Sequence, residues 1–542
     1  MIRSFATWTG ATAFAALVAV FATWPQALQM SSAMSSHHDA YFSVWRLMWI
    51  SHALTTAPSH LFDANIFHPI TGTLAFSDAM LLEGLIGAPF AWAHVPPVLL
   101  YNTLLVAGFA GSALAMFALV RHLTGANGPA LVSATVFALA PYRIEHMMHL
   151  ELQWAMWVPL TFWALHRAVE GPSFRFGVLA GVLLWLQIVS CVYYGVFLAI
   201  VLVPVAPLLL VLAGQRGIRA LPGLGTGALI AVVLTLPYAW PYVQAARLVG
   251  ARDGAEIAQY SAHPINYLSA TSLSWLWDWT AGRWGARELR LYPGVVAGIL
   301  AVASLAHHSR RHVLVYAVVT CVAIELSFGT NGSLYPWLSA HVAALSGLRS
   351  PARFAIIASS GIAVLAGLGA QVISERGVRT KGRGALAILV VLLLMAADYG
   401  NRPMALTEED LGTPAPVYKV LRSAGPGAVA DLPMPSPSQL PGRDPYYAAW
   451  SISHWHPIVN GYSGYYPRDY LQLLARMETF PDAASVTRLR TLNVRYVVVH
   501  REFFEPEHYT ALMLKLAVHP AFRAYGAYRD PIGEANLFVM EP

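Results

Sequence analysis

Residues 37–39 read His-His-Asp, directly after an apolar N-terminal run and at the head of the tryptophan-rich stretch AYFSVWRLMWISHAL. A carboxylate there can take a proton from a hydroxyl brought within hydrogen-bond reach. The two imidazoles beside it can shuttle protons or bind a divalent ion. A second polar stretch, PYRIEHMMHLELQW, sets Arg143, Glu145, His146, His149 and Glu151 between two apolar runs. His146 and His149, three apart, share one face if the segment is helical. The third group is Arg349 and Arg353, in LRSPARF at the start of another apolar run. Two guanidiniums so placed suit bidentate capture of a phosphate.

What must position these groups is set by composition. Of 542 residues, 56% are hydrophobic and only 11% are charged, against about 25% charged in a typical soluble protein. The chain therefore reads as integral to a membrane. Its net charge of +6 is mostly arginine, the lysines being Lys381, Lys419 and Lys515. The arginines are scattered among short loops, so the charge does not point to nucleic acid. Cys191 and Cys321 lie in apolar runs without metal-type spacing, which argues against a disulfide framework.

Apolar runs of about 17–25 residues cross a bilayer. Candidate spans fall near 6–28, 98–120, 128–142, 153–167, 174–190, 192–213, 222–245, 292–306, 313–328, 353–373 and 384–399. The first has no clear small-residue cleavage site and is expected to stay as an anchor. With the N-terminus inside, the cytoplasmic loops hold Arg3, Arg121, Arg167, Arg175, Arg216, Arg219, Arg310, Arg311, Arg376, Arg379, Lys381 and Arg383. All these loops are short, as the positive-inside rule requires. The long connections 29–97, 246–291 and 329–352, with everything after 400, fall outside. They hold most of the acids, Glu288 among them. The predicted architecture is mainly α: residues 1–400 form a polytopic domain of about eleven spans, and 401–542 form a small extracytoplasmic α/β domain.

The first outer connection reads as two amphipathic helices lying in the interface, the second capped by Ser77. Beyond 400, GAVADLPM, HPIVNGY, VRYVVVH and ANLFVME read as strands, and DYLQLLARMETF and EPEHYTALMLKLAV as helices. NGYSGYYPRDY reads as a packed turn, or less favourably as a sugar-stacking surface. Glu325, near the outer end of a span, is expected to pair with an arginine rather than line a cavity, because an unpartnered buried carboxylate is expensive. For the histidines and arginines singled out above, plainer roles are contact with headgroups and snorkelling. The density of the 143–151 cluster favours a functional role, because charge at membrane depth usually faces a bundle interior. Arg349 and Arg353 lie on the outer side, against the positive-inside trend, which favours a ligand.

Taken together, HHDAYFSVW, YRIEHMMHLEL and the long outer C-terminal region resemble the GT-C superfamily of polytopic glycosyltransferases. The likeness is to bacterial members related to the protein mannosyltransferase and aminoarabinose transferase families, and LFDANIFHPITGTLAFSD and LRSPARF share in it. It implies transfer of a sugar, with inversion, from a polyprenyl-phosphate carrier to a glycan, lipid or protein acceptor outside the cell (inner) membrane. It also implies that Asp39 is the general base. His37, His38, Arg143, His146, His149, Glu151, Arg349 and Arg353 are expected to bind substrate. Some relatives carry a two-acid DxD first loop, whereas here His37 and His38 precede the aspartate. His37, His38 and Asp39 with His146 or His149 could hold a divalent metal, but the spacing is no known closed-site signature and no cofactor is assigned. The alternatives are a lipid or small-solute transporter or flippase, and a non-catalytic envelope assembly protein. A transporter would carry internal repeats and midplane ionisable residues, whereas the ionisable residues here gather at outer ends.

Overall fold

The computed structural model describes residues 2–376, 381–529 and 533–541, without the side chains of 2–5, 376, 381 and 382. Arg379 of the expected basic loops lies outside the described residues, as do the side chains of Arg3, Arg376 and Lys381. The chain divides into two compact units.

The first unit comprises 1–30, 102–239 and 251–406. Each expected span coincides with at least one helix, because an apolar run satisfies its backbone hydrogen bonds internally only as a helix. Four of the described helical stretches are long and apolar enough to cross a membrane: Pro97–Thr124, Val192–Ala213, Gln215–Val249 and Pro351–Glu375. Others are short. Asn127–Ala138 has 12 residues and Trp157–Glu170 has 14. At 1.5 Å per residue they reach about 18–21 Å, against a hydrocarbon core of about 30 Å. The core helix of this unit is Ala355–Arg376, packed on Asn127–Ala138, Val295–Ala303 and Arg310–Ser327. Its small-residue sequence SSGIAVLAGLGA permits the close approach. A Cβ on Gly369 would collide with the Leu300 carbonyl oxygen, and one on Gly367 with the Ser133 hydroxyl.

The second unit comprises 31–101, 240–250 and 407–542. Its sheet has four strands in the spatial order Ala428–Leu432, Val494–His500, Glu534–Met540 and Phe522–Arg529. The first pair is parallel and the other two are antiparallel. Strand Phe522–Arg529 was not expected, since FRAYGAYR is a mostly exposed edge strand with little apolar signal. HPIVNGY is no strand; it supplies only a bridge from Ile458 to Val429.

Helices His38–Thr56 and Leu81–Trp92 of the first connection belong to this unit. Helix His38–Thr56 does not lie free in the interface as expected. It packs on helix Asp444–Trp450 and buries Phe42, Trp45, Arg46 and Trp49. The indoles are satisfied inside: Trp45 donates to Asn65 Oδ1 (3.1 Å) and Trp49 to the Leu61 carbonyl (2.8 Å). Leu81–Trp92 does expose an apolar face, through Leu85, Ile86, Phe90 and Trp92. Its first turn follows Met80, in the left-handed region at φ 54°, with no side-chain cap from Ser77.

A buried polar knot fastens helix Asp444–Trp450 to the sheet. Asn460 Oδ1 accepts from the Asp431 amide (2.8 Å), and its Nδ2 donates to Asp431 O (3.0 Å) and Asp444 Oδ1 (3.1 Å). Tyr470 donates to Asp444 Oδ2. Burial raises the Asp444 carboxyl to about 7, only partly offset by Tyr470 and Asn460. An unfolded aspartate titrates at 3.8, so the folded state binds the extra proton between about pH 4 and 7 and its stability falls as pH rises through that window, by up to roughly 4 kcal/mol. Amide-exchange protection of Ala428–Leu432 should therefore fall between pH 5 and 7.5 beyond the intrinsic exchange change. In Asp444→Asn that additional fall should vanish; a persistent fall would remove Asp444 from the account.

Candidate functional site

In the second unit, Asp39 sits in the first turn of helix His38–Thr56, where the helix dipole favours a negative charge. It does not cap the helix. His37 is the N-cap, its Nδ1 accepting from the Asp39 amide at 3.2 Å. That nitrogen also lies 3.1 Å from Asp39 Oδ2. Without a proton Nδ1 accepts from the amide; with one it donates to the carboxylate. Asp39 Oδ1 accepts from the Tyr462 hydroxyl at 2.7 Å. Thus the stretch NGYSGYYPRDY is a packed turn that also delivers a donor to the carboxylate. Burial lowers the basicity of His38, reinforced by His37 and partly offset by Asp39. Beyond it Tyr41 lies tilted against the Tyr446 ring (centroids 4.3 Å) and donates to Glu409 Oε2 (2.6 Å).

In the first unit, the 141–154 stretch is not one helix. Short helices Pro141–Glu145 and Leu150–Gln153 flank a turn in which the His149 amide bonds the His146 carbonyl at 3.0 Å. The imidazoles still meet, with centroids 5.9 Å apart. Opposite them stands Glu288, from the 3₁₀ turn Arg287–Leu289. One ligand atom from each of His146, His149 and Glu288 lies within 4.8 Å of the others. His146 Nε2 is buried without a hydrogen-bond partner, 3.9 Å from Glu288 Oε2. Burial pushes His146 down to about 3, with Glu288 opposing the shift, so at neutral pH its ring is uncharged and can ligate. Glu288 is held well below the usual carboxylate range: burial opposes this, but Arg353 outweighs it, followed by His146. Two nitrogens and a carboxylate, one nitrogen an orphan, fit a divalent ion.

The remaining expected residues have partners. Arg353 grips Glu288 through Nη2–Oε1 (2.9 Å) and Nε–Oε2 (3.3 Å), lying over the Tyr193 ring at 4.8 Å. Arg349 pairs with Glu256 at 3.3 Å and is a third exposed. Arg143 is buried and donates to Gln153 O (2.7 Å), Gln153 Oε1 (3.3 Å) and Phe137 O (3.4 Å), which locks the 141–154 turn. Glu151 lies 3.8 Å from His149 Nδ1. Glu145 is held by Arg290 (2.8 Å) and Arg287 (3.5 Å). Among the described residues no arginine pairs with Glu325. Its Oε1 accepts from the amides of Ser333 (2.5 Å) and Leu334 (2.8 Å), which meets the same electrostatic need. Sequence reasoning placed Glu288 only among the outer acids. Its partners are remote in sequence, and only its place in an outer connection hinted at a role.

No family model matches the chain, and no curated protein matches it in sequence. Solved structures do. The chain is similar to the archaeal oligosaccharyltransferase AglB from Archaeoglobus fulgidus, solved with an inhibitory peptide and a dolichol-phosphate. That match has a TM-score of 0.53 at 12% identity and covers 97% of this chain and 74% of that one. It is also similar to the mycobacterial arabinofuranosyltransferase AftD, with a TM-score of 0.61 at 13% identity over 98% of this chain; this chain spans 41% of AftD. Both are GT-C glycosyltransferases, and the fold of this chain is theirs.

Removing one member of a desolvated ion pair strands the other, at roughly 3–5 kcal/mol. Arg353→Met should therefore lower thermal stability markedly, and Arg353→Met/Glu288→Gln should recover most of the loss. A double variant no better than the single would show that the pair is not the reason.

Proposed function

We propose that the chain is a membrane glycosyltransferase that moves a sugar, with inversion, from a polyprenyl-phosphate carrier to an acceptor outside the cytoplasmic membrane. The observation that carries this reading is the GT-C likeness over nearly the whole chain. Asp39 is the general base. Its carboxylate accepts the acceptor hydroxyl's proton as that oxygen attacks the anomeric carbon. Tyr462 and the first-turn position hold Asp39 oriented. The carrier phosphate leaves with the bonding electrons, and arginine and oriented donors stabilise it. Arg349 is the more accessible guanidinium for that task, while Arg353 positions Glu288. His146, His149 and Glu288 would hold a divalent ion, whose charge would stabilise a phosphate oxygen. Arg143 acts as a positioning residue for the 141–154 turn. His37 sets the start of the Asp39 helix, and His38 and Glu151 flank the two groups. The AglB neighbour was solved with a dolichol-phosphate and a peptide, which supports a lipid-linked donor for this chain too.

Under this reading the chemistry and the C-terminal region lie outside. In a deletion strain, mass spectrometry should find an unextended glycan, lipid or protein acceptor and a rise in its prenyl-linked sugar, both reversed by the parent chain. Single cysteines beside Asp39 and His146 should label with an impermeant thiol reagent in spheroplasts. An unchanged envelope together with solute uptake by proteoliposomes would favour transport instead.

A further inference from the structure

We propose a second metal site, for a zinc-type divalent ion, at the basic end of the first unit's helices, made by His166, Glu170 and His312. His166 and Glu170 stand one turn apart on helix Trp157–Glu170, and His312 comes from helix Arg310–Ser327. Helix Trp157–Glu170 leads away from the 141–154 turn, so His166 and Glu170 lie about 14 and 20 Å along it from its first residue. Ligand atoms of the three residues lie within 4.8 Å of one another. His166 Nδ1 is 3.5 Å and His312 Nε2 is 3.4 Å from Glu170 Oε1. The edge of a tetrahedron with zinc bonds of about 2.0–2.1 Å is about 3.3–3.4 Å. Each nitrogen is thus already at ligand–ligand spacing from the oxygen.

The outer contacts suit the same purpose. His166 Nε2 is 3.1 Å from the Tyr316 hydroxyl, which leaves Nδ1 to face the carboxylate. His122 Nε2 holds the other carboxylate oxygen, Oε2, at 3.0 Å. A cavity of about 10 Å³ opens beside His166, Glu170 and His312, about the size of one water and so of a fourth ligand. A cation already touches the atoms the ion would take. Arg311 Nη2 lies 2.7 Å from Glu170 Oε1, and its Nε lies 3.3 Å from His312 Nε2. The Arg311 side chain is 42% exposed, so it can swing into solvent when the ion enters. Two histidines and a glutamate with an open position are a common zinc set. The ion would tie the two helices together at the end opposite the proposed chemistry.

The test is a Co²⁺ and Zn²⁺ titration of the purified full chain in detergent, carrying His149→Ala to disable the 146–149–288 group. One equivalent of Co²⁺ should bind with the visible d–d spectrum of a tetrahedral site, and Zn²⁺ should displace it and raise the melting temperature. His312→Gln or Glu170→Gln should abolish the spectrum. Tyr316→Phe should weaken binding roughly 10–100-fold, as loss of an outer partner does. Arg311→Ala should tighten it by removing the competing cation. Absence of stoichiometric binding in both the His149→Ala chain and its Arg311→Ala form would overturn the site and leave an ion-pair network around Glu170. Binding that survives His312→Gln and Glu170→Gln would overturn it equally.

Discussion

A charge among apolar helices persists only where another charge or a set of donors meets it. The Glu288–Arg353 pair is where this constraint acts most strongly in the first unit. It keeps a carboxylate ionised beside the uncharged His146 ring, and it fixes the turn before helix Ala355–Arg376. Arg143 answers the same constraint differently, spending its donors on carbonyls and an amide oxygen of the 137–153 region. Glu325 does so with two amides. These charged groups are therefore each met by a counter-charge or by oriented donors and acceptors.

Much of the architecture was legible in the sequence because it is periodic or local. Apolar runs had to become helices, and β-branched runs such as VRYVVVH became strands. The polar stretches 37–39 and 143–151 stood out because charge is rare in this composition. What escaped was long-range pairing. Tyr462 meets Asp39 across 423 residues, and Glu288 meets Arg353 across 65. No local pattern encodes either. The burial of helix His38–Thr56 escaped for a related reason: a tryptophan-rich face suits a lipid interface and a protein core equally, and only the partner helix Asp444–Trp450 decides. Span lengths failed where short helices such as Asn127–Ala138 sit inside longer apolar runs.

Within each unit the candidate groups carry distinct chemistry. The second unit supplies a carboxylate at a helix start, oriented by the Tyr462 hydroxyl. The first supplies two imidazoles, a carboxylate held ionised and accessible arginine, an environment suited to a phosphate and its counter-ion. Neither set is a complete catalyst for sugar transfer. Their occurrence in one chain with a GT-C fold is what makes a transferase the best-supported reading.

The central claim is that Asp39 accepts a proton and is not merely a residue of its helix start. Since His37 is the cap, replacing Asp39 by Asn should leave the helix intact while removing the base. The deciding measurement is single-turnover transfer by Asp39→Asn from prenyl-linked sugars extracted from the parent membranes. The account predicts retained folding and donor binding, with turnover lowered roughly 10²–10⁴-fold. Turnover close to that of the parent would contradict it.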